Sequence, residues 1–276
     1  MHTEGDTLRI GVIGTGNMGS MLAAAFATGP EFEVWVYNRS PKKAEVLARR
    51  APSVRIVQSA EDLACRVDVL FLCTKAQDGK EVMSELGPLL TDNQILATTI
   101  STIPVCHWEA MTRSRVVKVI PSIVQTALSG VILVHYGARF TPDTKAGFER
   151  LLMRMAIPHE VNESQLRVAS DLTSCGPALV AYLLREWAKM ASITEHVSFR
   201  DAEYLLTQTA IGLSDLLRSG MTLEEVITKV SVPGGVTERA IQALSQRAPE
   251  MFQTLHMATE EHTRAHNSPA PIGRET

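Results

Sequence analysis

Leu8-Arg9-Ile10-Gly11-Val12-Ile13-Gly14-Thr15-Gly16-Asn17-Met18-Gly19 reads as an apolar strand that breaks into Gly-x-Gly-x-x-Gly and opens a helix. The pattern suits a loop that holds a dinucleotide. Gly14 permits a tight turn, Gly16 lets the backbone approach a pyrophosphate, and Gly19 lets the helix pack against the strand while its N–H groups face the phosphates. Its weight comes from its surroundings: a strand precedes it, the Ala-rich stretch from Ser20 to Ala27 follows, and a second strand is expected over Glu33 to Tyr37. A Gly-rich turn without a ligand is the alternative reading. Thr15, Asn17 and Met18, lying between the glycines, join Gly14, Gly16 and Gly19 as cofactor-binding candidates.

The end of the second strand sets the kind of dinucleotide. An NAD-binding chain usually places Asp or Glu there for the ribose 2′-OH; this one reads Tyr37-Asn38-Arg39-Ser40-Pro41-Lys42-Lys43. A carboxylate would repel a 2′-phosphate, whereas an amide, a forked guanidinium, a hydroxyl and two lysines suit one. Asn38, Arg39 and Ser40 therefore point to NADP(H). The competing reading makes Arg39, Lys42 and Lys43 a solvated helix start.

At 276 residues, 45% of them apolar, the chain has room for one large or two ordinary domains with a core. A net charge of −3 without a dense Lys/Arg stripe argues against a nucleic-acid surface. Met1 to Thr7 is polar and acidic, unlike a secretory signal, and no apolar run reaches membrane length. Cys65, Cys73, Cys106 and Cys175 form no C-x-x-C pair, as expected of reduced thiols in a cytoplasmic protein. His262 and His266 stand one helical turn apart beside Glu260 and Glu261. That segment runs into a polar tail expected to be disordered over 267–276, so no metal is expected.

Strands are expected at Val54–Val57, Val67–Leu72, Gln94–Thr98, Val116–Ile120, Val131–Tyr136 and Pro158–Val161, with helices between them at Pro41–Arg50, Gly79–Leu89, Pro104–Thr112 and Thr144–Met155. This alternation implies a mostly parallel sheet. After Asn162 apolar residues recur at helical spacing. The expected fold is α/β: an N-terminal Rossmann-like doubly wound sheet over 1–162 and a C-terminal all-helical dimerisation and substrate domain over 163–266. Its helices are expected at Glu163–Leu172, Pro177–Ala191, Phe199–Arg218, Leu223–Val230, Ala240–Gln246 and Pro249–His262. Leu, Ala and Met are abundant there, which suggests faces that pack against a second copy, giving a homodimer or a higher homo-oligomer.

Three more clusters carry chemistry. Leu72-Cys73-Thr74-Lys75-Ala76 ends a strand on the ligand-facing edge, adding Cys73, Thr74 and Lys75 to the cofactor candidates. Lys75 suits a phosphate or a ribose; a solvated lysine is its other reading. Glu163, at the domain boundary, suits a substrate or an ordinary first helical turn. Val230-Ser231-Val232-Pro233-Gly234-Gly235-Val236-Thr237 combines a rigid proline, two glycines and a hydroxyl at a helix start, leaving N–H groups for an anion such as a carboxylate. Its plain alternative is a helix-starting turn.

With these residues the chain resembles the pyrroline-5-carboxylate reductase family, which reduces a cyclic imine to proline with NAD(P)H. The resemblance runs from Leu8 to about Met257. It includes the fingerprint, Asn38-Arg39-Ser40, Lys75, the turn around Pro121, Glu163, Ser174-Cys175-Gly176-Pro177-Ala178, Arg200 with Gln208-Thr209 and Gly212, and Pro233-Gly234-Gly235-Val236-Thr237. By that resemblance the N–H groups of Val236 and Thr237 bind the substrate carboxylate, and the Thr237 hydroxyl bonds the ring nitrogen as the catalytic contact. The chain departs from the pattern at Ser59, at Ala76, at Ile120-Pro121-Ser122-Ile123-Val124 and at Ser231-Val232-Pro233, and Val236 stands where a small or hydroxylic residue is usual. Ile120-Pro121-Ser122-Ile123, Arg167-Val168-Ala169-Ser170-Asp171 followed by Ser174-Cys175-Gly176-Pro177-Ala178, and Gly234-Gly235-Val236-Thr237 resemble the family's late-competence ComER-type branch. Two other functions are weighed: a dinucleotide-binding regulatory or assembly protein with little turnover, and a β-hydroxyacid dehydrogenase. The latter ranks last, because after Gly176 no lysine occurs until Lys189.

Overall fold

The computed structural model describes residues 7–267, with side chains described through Glu261. The first part of the chain alternates strands and helices: β1 (Leu8–Ile13), α1 (Asn17–Phe26), β2 (Phe32–Tyr37), α2 (Pro41–Arg50), β3 (Arg55–Ile56), α3 (Ala60–Arg66), β4 (Val69–Leu72), α4 (Ala76–Leu86), β5 (Ile95–Thr98) and α5 (Val105–Glu109). It continues through β6 (Arg115–Ile120), β7 (Val131–Tyr136), α6 (Pro142–Leu152), β8 (Ile157–Glu160) and α7 (Leu166–Ser170). The rest is helical: α8 (Gly176–Ser192), α9 (Phe199–Arg218), α10 (Leu223–Val230), α11 (Val236–Ser245) and α12 (Ala248–Asn267).

The strands of the described residues form one sheet in the order β3-β2-β1-β4-β5-β6-β7-β8. Every pairing is parallel except β6 with β7. All four residues of β4 are buried, as a parallel strand covered on both faces requires. Alternate residues feed two cores: Ile10 and Val12 join Leu22, Phe26, Phe71 and Phe148 on one face, while Ile13 joins Leu63, Leu70, Leu72 and Trp108 on the other. Fully burying a side chain such as Phe26 or Leu63 contributes about 1.5–3 kcal/mol, which ties the helices to the sheet.

Helix α3 is not evident from the sequence pattern. Ser59 caps it by accepting the Asp62 N–H, and a Cβ at Gly11 would meet Leu63, Val67 and Leu70 at 3.0–3.1 Å, so the glycine lets α3 lie close to β1. The single helix expected over Glu163–Leu172 is instead a short 3-10 turn at Glu163–Gln165, then α7, then a widened π turn over Asp171–Cys175. Pro177 has no N–H to offer the Thr173 carbonyl, and the helix widens immediately before it.

Two compact units result, one holding the described residues through Cys175 and the other Gly176–Ala265. Leu166 is buried with Ile120, Leu133 and Val161, and Ser174 Oγ donates to the Pro121 carbonyl at 2.8 Å, so residues 163–175 are held to the sheet. Within the helical unit α8 packs on α9, yet the fully buried residues described there are only Ala188 and Ala202. Trp187, Met190, Tyr204, Leu205 and Ile211 are more than half exposed. Helix α12 continues through Asn267; the remainder of the tail, expected to be disordered, lies outside the described residues.

Candidate functional site

The sheet order reverses between β1 and β4, and at such a switch point the loops beyond the strand ends leave a crevice for a ligand. The Gly14 N–H donates to the Tyr37 carbonyl at 2.9 Å and the Cys73 N–H to the Ile13 carbonyl at 2.8 Å, which fastens the fingerprint loop to both neighbouring strands. Gly14 has φ 91°, and a Cβ there would lie 2.5 Å from the Cys73 carbonyl oxygen. At Gly19 a Cβ would collide with the Gly14 carbonyl oxygen. Both glycines are demanded by the chain itself.

Gly16 is different. Its φ is −74° and a Cβ there would meet nothing within 4 Å, so neither conformation nor packing requires glycine. The space suits a ligand that approaches the backbone. Beside it Thr15 Oγ1 is buried without a hydrogen-bond partner among the described residues, and α1 starts at Asn17 without a side-chain cap. Asn17 and Met18 are exposed on its first turn. An open cradle, an unsatisfied hydroxyl and an uncapped helix start fit a dinucleotide pyrophosphate.

Asn38 holds this loop. Its Oδ1 accepts the Thr15 N–H at 2.9 Å and its Nδ2 donates to the Ser40 carbonyl at 2.9 Å, so both ends of the amide are engaged by backbone. Arg39 and Ser40 are exposed. The Arg39 guanidinium, 84% exposed, pairs with Asp78 of α4 at 3.1 Å. Asp78 escaped the sequence reading, since nothing local to it signals a partner 39 positions away. The fingerprint and Asn38-Arg39-Ser40 thus come together, with Asp78 as an acidic neighbour of Arg39.

Cys73 and Thr74 lead from β4 to exposed Lys75 at the start of α4. Burial pushes the Cys73 thiol up to about 12, against a hydrogen bond with Thr99, so the sulfur stays uncharged. Cys73 contributes backbone and packing; the cation of this segment is Lys75.

Glu163 is drawn into an ion pair. Lys118 of β6, 1% exposed, donates from Nζ to Glu163 Oε1 at 2.8 Å and to the Ser101 carbonyl at 3.2 Å, and Oε1 also accepts the Val105 N–H at 3.1 Å. Burial works to raise the Glu163 carboxyl, but Lys118, the Val105 N–H and His135 together hold it below the usual carboxylate range. No hydrogen bond to Oε2 is found among the described residues. A lysine inside the apolar run Val116–Ile120 was the available sequence signal, because a buried ammonium requires a partner.

Val236 and Thr237 belong to the helical unit. Gly234 has φ 73°, the Gly235 N–H donates to the Val232 carbonyl at 2.9 Å, and the Gly234 N–H donates to Glu238 Oε2 at 2.7 Å. The N–H groups of Val236 and Thr237, which open α11, have no partner among the described residues. The Val236 side chain is 88% exposed. Among the described residues no cluster of three or more His, Cys, Asp or Glu could hold a metal; the side chains of His262 and His266 lie outside them. No helix of the described residues is long and apolar enough to cross a membrane.

Residues 9–101 match the family described as NADP oxidoreductase, coenzyme F420-dependent, and residues 163–266 match pyrroline-5-carboxylate reductase dimerisation. The cofactor of the first unit is NADP(H), in keeping with its open cradle and with the Arg39 segment. ComE operon protein 4 of Bacillus subtilis is 34% identical over 92% of this chain and 96% of its own length. Pyrroline-5-carboxylate reductase 3 of the same bacterium is 26% identical over 91% of this chain and 94% of its own. The structure of a pyrroline-5-carboxylate reductase from Coxiella burnetii superposes with a TM-score of 0.84 at 23% identity, covering 96% of this chain and 100% of that one. The chain is an oxidoreductase-type dinucleotide-binding protein with a helical dimerisation domain, and it belongs to the pyrroline-5-carboxylate reductase family.

Proposed function

We propose that the chain is an NADPH-dependent imine reductase that converts 1-pyrroline-5-carboxylate, or a related cyclic imine acid, to L-proline or its analogue. The observation that carries this reading is the start of α11, where Val236 and Thr237 keep two unpartnered N–H groups beside a turn held by Gly234 and Gly235. Such a helix start takes a carboxylate. The Thr237 hydroxyl then bonds the ring nitrogen; Glu163, whose Oε1 is committed to Lys118 and Val105, is the substrate-binding candidate of the first unit. NADPH, when bound, supplies the hydride. An iminium is already electrophilic, so the residues chiefly orient it and hold its charge.

The reading includes a cytoplasmic location, in keeping with four free cysteines, and a homodimer or higher homo-oligomer that binds neither nucleic acid nor membrane. A second reading is a dinucleotide-binding regulatory or assembly protein with weak or no reductase activity. Val232 and Val236 favour it, because both place exposed apolar side chains around the carboxylate turn. Following NADPH oxidation with 1-pyrroline-5-carboxylate and a few other cyclic imines separates the two. Turnover supports the reductase; NADPH binding without oxidation of any imine supports the second reading.

A further inference from the structure

A cavity of about 390 Å³ is lined by Asp92, Arg113, Arg115 and Arg139. Arg115 begins β6, Asp92 lies in the turn before β5, and Arg139 follows antiparallel β7, so the cavity sits at the amino edge of the sheet. The fingerprint sits at the carboxyl edge. A six-residue strand such as β6 separates the two edges by roughly 20 Å at about 3.3 Å per residue.

Three guanidinium-bearing side chains face this cavity with one carboxylate among its lining residues. Arg139 is fixed in place: Nη1 donates to the Thr112 carbonyl at 2.6 Å and to the Ser114 carbonyl at 3.1 Å, and Nη2 to the Glu109 carbonyl at 2.9 Å. These acceptors are neutral carbonyls. Arg113, Arg115 and Asp92 form no ion pair among the described residues. Guanidinium forks of this kind match oxyanions, and the cavity has the volume of a small-molecule site. Among the described residues its lining is charged throughout, which suits a polar anion.

We propose that this amino-edge cavity binds a compact anion carrying two phosphate groups, such as a diphosphate, at a site separate from the dinucleotide. Three guanidiniums against one carboxylate leave the lining net positive, and Arg113 and Arg115 each bring a fork that can engage its own phosphate group. Isothermal titration of the full chain with inorganic pyrophosphate at fixed ionic strength tests this, with and without saturating NADP+. The expected result is one saturable site, unaffected by NADP+, that binds inorganic phosphate more weakly. An R113A/R115A variant should bind pyrophosphate at least about tenfold more weakly while keeping its circular dichroism and its NADP+ affinity. Absence of saturable binding, wild-type affinity in the double variant, or displacement by NADP+ would each overturn the proposal, the last by assigning the anion to the fingerprint.

Discussion

Lys118 and Glu163 form an ion pair in which the ammonium is almost wholly buried and the carboxylate is 40% exposed, with Nζ 2.8 Å from Oε1. The exposed partner compensates the buried one. Removing the carboxylate leaves Lys118 with the Ser101 carbonyl as its remaining acceptor, and removing the lysine leaves a carboxylate that water can reach.

Glu163→Gln should therefore destabilise the chain by about 1–3 kcal/mol, less than a fully buried pair because solvent screens Glu163. Lys118→Met should cost less, since it removes the desolvated charge. The pH dependence follows from the lowered Glu163 carboxyl. The pair stabilises the fold fully above the unfolded carboxylate value of about 4.3, and that contribution disappears as pH falls through the lower folded value. Urea unfolding across this range should show the gap between wild type and Glu163→Gln closing in acid; a constant gap contradicts the assignment.

The proposed NADP(H) site makes Arg39 the reader of the 2′-phosphate and Asp78 its competitor. Arg39→Ala should weaken NADPH by about tenfold and leave NADH nearly unchanged, because only NADPH carries the 2′-phosphate. Asp78→Ala should act in the opposite direction, tightening NADPH by up to about fivefold, since it removes both a surface competitor for the guanidinium and a like charge near the phosphate. Equal effects on the two cofactors would show that Arg39 does not read the phosphate.

The two outer fingerprint glycines and the middle one should fail in different ways. Gly14→Ala forces a Cβ to 2.5 Å from the Cys73 carbonyl at φ 91°, so it should cost about 2 kcal/mol or more and lower the unfolding midpoint. Gly16→Ala meets nothing in the protein. It should fold normally and bind NADPH at least about tenfold more weakly, because the added methyl takes ligand space. Cofactor titration beside thermal unfolding distinguishes these outcomes.

The helical unit buries so few large side chains that its faces require a second copy. Sedimentation equilibrium at micromolar concentration should give a dimer or larger species, and Trp187→Glu with Leu205→Glu should shift it toward monomer. A monomeric wild-type chain would contradict the reading of these faces.

The nucleotide-binding half was legible because its signals are local. Gly14 is required by its own positive φ and Gly19 by the Gly14 carbonyl five residues before it, and the β1–α1–β2 pattern announces itself through period and turn. Helix α3 was not legible: seven residues carry too little periodicity, and its proof is the space left at Gly11. Asp78 beside Arg39 and Glu163 beside Lys118 are joined only by the sheet crossing between them. Lys118 could have been questioned from sequence, as a charge within a strand of valines, though its partner could not be named. Helical spacing after Asn162 likewise does not reveal that Leu166 faces Ile120 and Leu133.

Thr237 offers the test that separates catalysis from retention of the fold. Thr237→Ala keeps the N–H groups that open α11 but removes the hydroxyl, so imine reduction should fall by about a hundredfold while NADPH binding is unchanged. Thr237→Ser restores the hydroxyl and should recover most of the rate. Val232→Ser acts on the other side of the turn, where the valine lies close to Gly235 and is mostly exposed. It should raise turnover if the valines restrain a competent site, because a hydroxyl there adds a donor for the carboxylate. If Thr237→Ala reduces imines as fast as the parent chain, the carboxylate turn is only a helix start, and the regulatory reading gains over the reductase.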